Sequence, residues 1–265
     1  MTIAARRTLT TLLSFAFLAV VMFWGYEASE SPANQLFGHT LVSGPSDQKV
    51  VALTFDDGPN PPYTSKILGV LEREQVHATF FLVGRAVAAY PAVVRREVRD
   101  GDAVGNHTWA HRHLIVMNAS AIRDTLARTD AAIYAAAHVH TRIMRPPFGA
   151  RDWLVLDEVR RLGYTPVMWS VPLPRDWEDP PPETIARRVL RDVTDGSIIV
   201  LHDGNRGILC ARHHLSPHVC DRTNDIAATQ IIVTTLKREG YRFVTVPQLL
   251  ALKRPAMRTP ARGIE

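Results

Sequence analysis

Val50-Val51-Ala52-Leu53-Thr54-Phe55-Asp56-Asp57-Gly58-Pro59 is the stretch on which the fold turns. Its first six residues are uncharged and rich in Val and Phe, so residues 50–55 predict a buried strand. Two adjacent carboxylates and a Gly-Pro pair then end the run. Downstream, residues 63–74 have helical spacing, with Ile67, Leu68 and Leu71 on one face. Further strands are expected over 78–83, 103–105, 143–144, 165–170, 197–201 and 242–246. Helices are expected from Pro91 to about 100, from a Ser120 cap to about 137, and over 153–162, 182–192 and 225–239. Strand followed by helix, repeated about seven times, implies an α/β fold with a mostly parallel sheet, and this many units can close into a barrel. In such folds chemistry gathers at the C-terminal ends of the strands.

Upstream, Arg6 and Arg7 precede an uncharged apolar run from Leu9 to Tyr26. Its length sits at the lower edge of what spans a bilayer. No Ala-x-Ala cleavage site follows, so residues 1–30 are expected to be an uncleaved signal anchor rather than a cleaved signal peptide. The paired arginines would stay in the cytoplasm and the rest of the chain would lie outside. Residues 31–48 read as a linker, 49–251 as one folded domain, and 252–265 as a basic tail.

The net charge of +5 comes from the two ends of the chain and leaves residues 8–252 balanced. The broad positive field that nucleic acid needs is missing, so no nucleic-acid partner is expected. A membrane contact through the N-terminal helix is expected, with no protein partner predicted. Cys210 and Cys220 lie close together in an irregular segment, and outside the cytoplasm that spacing suggests a disulfide. The same segment holds His213, His214 and His218, so a small metal site is the alternative.

Asp56-Asp57 at a strand end needs something neutral or positive to hold it, such as a divalent cation for one acid and an arginine for the other. Asp-Asp-Gly-Pro also matches a plain turn. His107-Thr108-Trp109-Ala110-His111 has the i, i+4 spacing that puts two imidazoles on one helix face, although such pairs also arise by chance. With Asp57 they would give two nitrogens and one oxygen, the pattern of a catalytic metal with an open position. Arg145-Pro146-Pro147-Phe148-Gly149 is a rigid loop whose arginine could grip a carboxylate, or simply a surface turn. Asp176-Trp177 follows the expected strand over 165–170. His202 ends a fully apolar strand at the same mouth, and Val200 shares its face.

In this order, Thr54-Phe55-Asp56-Asp57-Gly58-Pro59, His107 through His111, Arg145 through Gly149, Asp176-Trp177 and Val200-Leu201-His202 resemble the motifs of the polysaccharide deacetylases of carbohydrate esterase family 4, including the nodulation-type chitooligosaccharide deacetylase domain. The resemblance covers about residues 49–251. It implies a distorted (β/α)7 barrel and a bound divalent metal, commonly Zn2+. Asp57, His107 and His111 would be the ligands, Asp56 the general base and His202 the general acid. Arg145 would orient Asp56, and Asp176 would hold His202 protonated. Trp177 and Val200 would contact the acetyl methyl, and the Phe148 backbone N–H would help bind the oxyanion. The Pro-rich stretch from Trp169 to Trp177 and the long insert after Gly204 depart from the family pattern, which bears on the Asp176–His202 contact.

The implied function is metal-dependent deacetylation of a peptidoglycan-like or chitin-like N-acetylglucosamine polymer. The alternatives are an O-acetyl xylan esterase, a metal-holding carbohydrate-binding protein without turnover, and a structural membrane protein in which the clustered acids and histidines are coincidence.

Overall fold

The first strand, β1 (Val50–Asp56), is buried along its whole length in the computed structural model, which describes residues 3–206, 208 and 220–253. Alternation divides its side chains between two cores. Val51, Leu53 and Phe55 pack outward with Ile67, Leu68 and Leu71 of α2 (Tyr63–Glu74). Val50 and Ala52 face inward with Val167, Met168 and Val200. The same alternation aims Thr54 and Asp56 into the barrel interior at its mouth.

After α2 come β2 (Thr79–Leu82), α3 (Gly84–Ala89), α4 (Pro91–Arg99), β3 (Ala103–Asn106), α5 (Ala119–Ala137), β4 (Ile143–Met144), α6 (Trp153–Arg161) and β5 (Thr165–Pro166). Then follow α7 (Pro182–Leu190), β6 (Ile198–His202), α8 (Thr223–Arg238), β7 (Arg242–Phe243) and α9 (Val246–Lys253). The long N-terminal helix α1 (Ile3–Glu30) precedes them all. Every strand pairing is parallel, in the order β5-β4-β3-β2-β1-β6, and β7 joins the start of β1. The result is a curled, incomplete barrel wrapped by helices, the distorted (β/α)7 architecture.

Register sets the site. Asp56 pairs with His202, and Thr54 with Val200, so the ends of β1 and β6 lie side by side. Asn106 pairs with Met144, so His107 and Arg145 leave adjacent strands together.

The stretch over 31–48 packs against the domain and closes its seam. Leu41 is buried and bridges Val167, its N–H donating to the Pro166 carbonyl at 2.8 Å. Gly44 donates to the Gly196 carbonyl at 2.8 Å. A Cβ on Gly196, whose φ is +77°, would fall 2.5 Å from the Pro45 carbonyl oxygen, so this closure requires glycine.

Several elements differ from expectation. Asn118, not Ser120, caps α5, its side chain accepting from the Ala121 N–H at 2.9 Å. The strand expected over 165–170 pairs with β4 only at Thr165 and Pro166, where the two-residue β4 ends, and Val167 then bridges Leu41. The strand expected over 242–246 stops at Phe243, and α9 replaces its end. Thr245 and Gln248 exchange backbone-to-side-chain hydrogen bonds there, a Thr-x-x-Gln capping box. The basic tail from 254 onward, Cys210, and His213, His214 and His218 lie outside the described residues.

Candidate active site

Asp57 leaves β1 with φ of +78°, in the left-handed region that aspartate tolerates, and this swings its carboxylate back across the mouth. Its Oδ2 accepts from the Arg206 backbone N–H at 2.6 Å. Its buried Oδ1 meets no hydrogen-bond donor among the described residues. That oxygen faces His111 Nε2 at 3.1 Å and His107 Nε2 at 3.5 Å. One donor atom from each of the three residues lies within 4.8 Å of the others, so the trio could hold one metal ion. An orphaned carboxylate oxygen between two imidazole nitrogens fits a divalent cation, because burying it without a partner is costly.

The two histidines converge by a route other than the helix expected from their spacing. His107 to Ala110 form a turn, with φ of +67° at Thr108 and +51° at His111. The Asn106 side chain accepts from the Thr108 N–H at 2.9 Å, and Thr108 Oγ1 accepts from the His111 N–H at 3.2 Å. His107 Nδ1 lies 2.7 Å from the Arg145 carbonyl. Nδ1 therefore carries the proton and Nε2 presents its lone pair to the centre. Burial pushes the His111 pKa down to about 3 against the opposing pull of Asp57, which keeps this imidazole neutral. Burial would raise the Asp57 pKa, but the surrounding imidazoles, His111 foremost, carry it well below the carboxylate range. His113 turns away and stacks on Phe148, with ring centroids 3.8 Å apart.

Beside this trio, Asp56 is gripped by a fully buried arginine. Arg145 Nη1 donates to Asp56 Oδ1 at 2.6 Å and to Thr54 Oγ1 at 2.8 Å. Its Nη2 donates to the Met168 carbonyl at 3.1 Å, and its guanidinium lies 4.1 Å from the Phe81 ring centroid. A buried guanidinium with this many acceptors is fixed in place and carries its charge to Asp56. The other Asp56 oxygen is 3.9 Å from His107 Nε2.

On the opposite flank, Asp176 reaches β6 from a short 3-10 turn, Asp176–Glu178. Its Oδ2 accepts from the His202 backbone N–H at 2.7 Å, and both oxygens lie 3.0 Å from His202 Nδ1. Burial lowers the His202 pKa, but the Asp176 charge and hydrogen bond outweigh it and raise it to about 9. The Pro-rich loop therefore brings the Asp176–His202 contact together. Trp177 meets His202 edge-on, with centroids 5.4 Å apart.

These groups share one cleft of about 610 Å³ lined by Asp56, Asp57, His107, His111, Phe148, Trp177, Val200 and His202. Arg145 and Asp176 lie fully buried behind Asp56 and His202. Phe148 sits on its loop with φ of +61°.

Two buried acids adjoining the site went unread in the sequence. Asp203, beside His202, accepts from Thr64, and burial pushes its pKa up to about 7. A Cβ on Gly58 would strike its Oδ2, so glycine is what lets the loop after Asp57 pass it. Asp225, in the first turn of α8, hydrogen-bonds Asp176, and burial raises its pKa well above the carboxylate range. Asp203 follows His202 directly and could have been flagged, whereas Asp225 is joined to Asp176 only by the fold.

Residues 43–167 match the family model described as polysaccharide deacetylase. The chain is 34% identical to a peptidoglycan-N-acetylglucosamine deacetylase of Bacillus cereus, over 82% of this chain and 95% of that protein. It is 35% identical to a chitooligosaccharide deacetylase of a Bradyrhizobium strain, over 77% of this chain and 92% of that one. Among solved structures, it resembles a peptidoglycan N-acetylglucosamine deacetylase bound to an N-oxidanyl-benzamide compound, with a TM-score of 0.71 and 32% identity over 79% and 92% of the two chains. A pseudoenzyme of carbohydrate esterase family 4 from Bacillus anthracis also superposes with a TM-score of 0.71, at 28% identity over 82% and 70% of the two chains. The chain belongs to the polysaccharide deacetylase family.

Proposed function

We propose that this chain is a metal-dependent hydrolase that removes the acetyl group from N-acetylglucosamine units of a cell-wall-type polysaccharide, on the outer side of a membrane. The observation that carries this reading is the flanking of the Asp57/His107/His111 trio by two oppositely prepared groups. Asp56 is gripped by the buried Arg145 guanidinium at 2.6 Å, and His202 is held as an imidazolium by Asp176.

Asp57, His107 and His111 would hold the ion, and two nitrogens with one oxygen suit zinc. When bound, the ion supplies Lewis acidity that lowers the pKa of water to ~7 and polarises the acetyl carbonyl. Asp56 takes a proton from the attacking water through the oxygen that Arg145 leaves free. His202, anchored through Nδ1, gives its Nε2 proton to the departing sugar nitrogen. The amide and one water become acetate and a free amine, and each placed acid or base is worth ~10²–10⁴ in rate. The Phe148 backbone N–H serves as an oxyanion donor, and Trp177 and Val200 form the apolar wall for the acetyl methyl.

The competing reading, O-acetyl ester hydrolysis, draws on another structural relative, the Xyl-CE4 domain of a multidomain xylanase, with 30% identity and a TM-score of 0.66. An amine leaving group needs its proton more than an alkoxide does. A His202 pKa raised to about 9 supports the amide substrate. A carbohydrate-binding protein without turnover would need neither Asp56 with its arginine nor His202 with its aspartate.

α1 has one apolar stretch long enough to cross a membrane, Leu12–Glu30, and we read it as an uncleaved anchor. A Cys210–Cys220 disulfide remains part of the proposal for the exported domain. The test is acetate release from N-acetylated chitooligosaccharides and from O-acetylated xylan, each with and without chelator. Release from the first substrate and its loss on chelation support the proposal, and release from xylan alone replaces it with the esterase reading.

A further inference from the structure

The apolar run of α1 ends at Tyr26, and four residues later Glu30 forms part of the catalytic cleft wall. At 1.5 Å per helical residue, these points are only ~6 Å apart along the axis. The apolar length of the helix has almost no protein cover, with 7% of the Leu12–Glu30 window buried and Phe15, Phe17 and Trp24 all exposed. An exposed Trp near the outer end suits the membrane interface.

The junction between helix and domain is fixed by one buried side chain. Arg151 Nη1 donates to the carbonyls of Ser29 at 3.2 Å and Gly149 at 2.9 Å. Its Nη2 donates to those of Ser31 at 2.7 Å and Asn34 at 2.6 Å, and its backbone N–H donates to Ser29 at 3.1 Å. The arginine thus ties the helix exit to the loop that carries Phe148. A Cβ on Gly149 would lie 3.2 Å from the Glu30 carbonyl oxygen, so the two backbones are in close contact. A second recess of about 440 Å³ begins at the root of α1 with Glu27 and Glu30. It shares Phe148, Trp169 and Leu173 with the catalytic cleft, so the cleft and the recess at the helix root lie side by side.

We infer that α1 and the Arg151 clamp hold the mouth of the cleft at the membrane surface, and that the preferred substrate is an N-acetylated glycan carried on a membrane lipid. This inference rests on the deacetylase and anchor readings above. A rigid joint a few ångströms long cannot carry the cleft out into a distant polymer. A glycan whose lipid lies in the same bilayer is delivered to the cleft mouth by lateral diffusion, at a raised effective concentration.

The test uses the full chain reconstituted with metal in phosphatidylcholine–phosphatidylglycerol vesicles. One arm supplies an N-acetylglucosaminyl glycan on a polyprenyl diphosphate in the same vesicles, and a second supplies the same glycan released from its lipid. The comparison variant carries roughly twelve Gly and Ser residues between Tyr26 and Glu27, a coil of ~20 Å that leaves the clamp with the domain. The native chain should favour the lipid-carried glycan by about tenfold or more. The spacer variant should keep its rate on the released glycan and lose most of that preference. Equal rates of the native chain on both glycans, an undiminished preference in the spacer variant, or failure of the chain to float with the vesicles would each overturn the inference. Absence of acetate release from both glycans would instead remove the deacetylase reading beneath it.

Discussion

The main-chain carbonyl of Arg145 lies 2.7 Å from His107 Nδ1, while the guanidinium of the same residue lies 2.6 Å from Asp56. One residue therefore fixes the tautomer of a metal-facing imidazole through its backbone and the position of the proposed base through its side chain. Replacing Arg145 with Lys separates the two roles. Lysine cannot reproduce the planar set of donors. We expect kcat to fall about 10²-fold, with metal content unchanged because the carbonyl remains. Elemental analysis beside acetate release checks both halves, and loss of metal would contradict the division.

The Asp176–His202 pair makes a pH prediction. His202 must be protonated to donate, so activity should fall as pH rises through its pKa, which the Asp176 contact raises to about 9 against the lowering effect of burial. Asp176→Asn removes the charge that raises it. The basic limb of the kcat/KM profile should then move to lower pH, with a lower maximum. A basic limb that stays in place would remove His202 as the acid.

His111 and His113 are two positions apart but face different neighbours. His111 Nε2 points at Asp57, while His113 stacks on Phe148. Calorimetric zinc titration of His111→Ala should show loss of tight binding, and His113→Ala should bind as the native chain does. Equal affinity in the two variants would remove His111 from the ligand set.

Arg151→Ala should leave several carbonyls at the α1–domain joint without their buried donor. A cost of about 1–3 kcal/mol follows from that desolvation, visible as a lower Tm with zinc affinity unchanged. An unaltered Tm would mean the clamp contributes nothing to stability.

Periodicity and punctuation carried the alternation of strand and helix, because Gly163 and Gly240 end helices and Pro91 and Pro182 begin them at readable places. They failed where tertiary contacts set the boundary. Leu41 is an ordinary residue in a polar stretch, and only the open seam beside Val167 makes it part of the sheet. The Thr245-Val246-Pro247-Gln248 cap of α9 has a sequence signature, but it overlaps the apolar run that reads as strand. In the site, residues at strand ends were readable because Asp56, Asp57, His107, Arg145 and His202 follow or close buried strands. The i, i+4 argument for His107 and His111 expected one helix face, whereas a turn with two left-handed residues brings the two rings together. Asp225 lay beyond reach, because its link to Asp176 depends on where α8 starts in space.

The central claim is that Asp57, His107 and His111 hold one ion at which Asp56 and His202 work from opposite flanks. The most direct test measures acetate released from N-acetylated chitooligosaccharide by the native chain, the chelated chain and the chelated chain resupplied with zinc. Release that stops on chelation and returns with zinc is the expected result. Release indifferent to chelation, or none from any acetylated glycan with metal supplied, would contradict the claim.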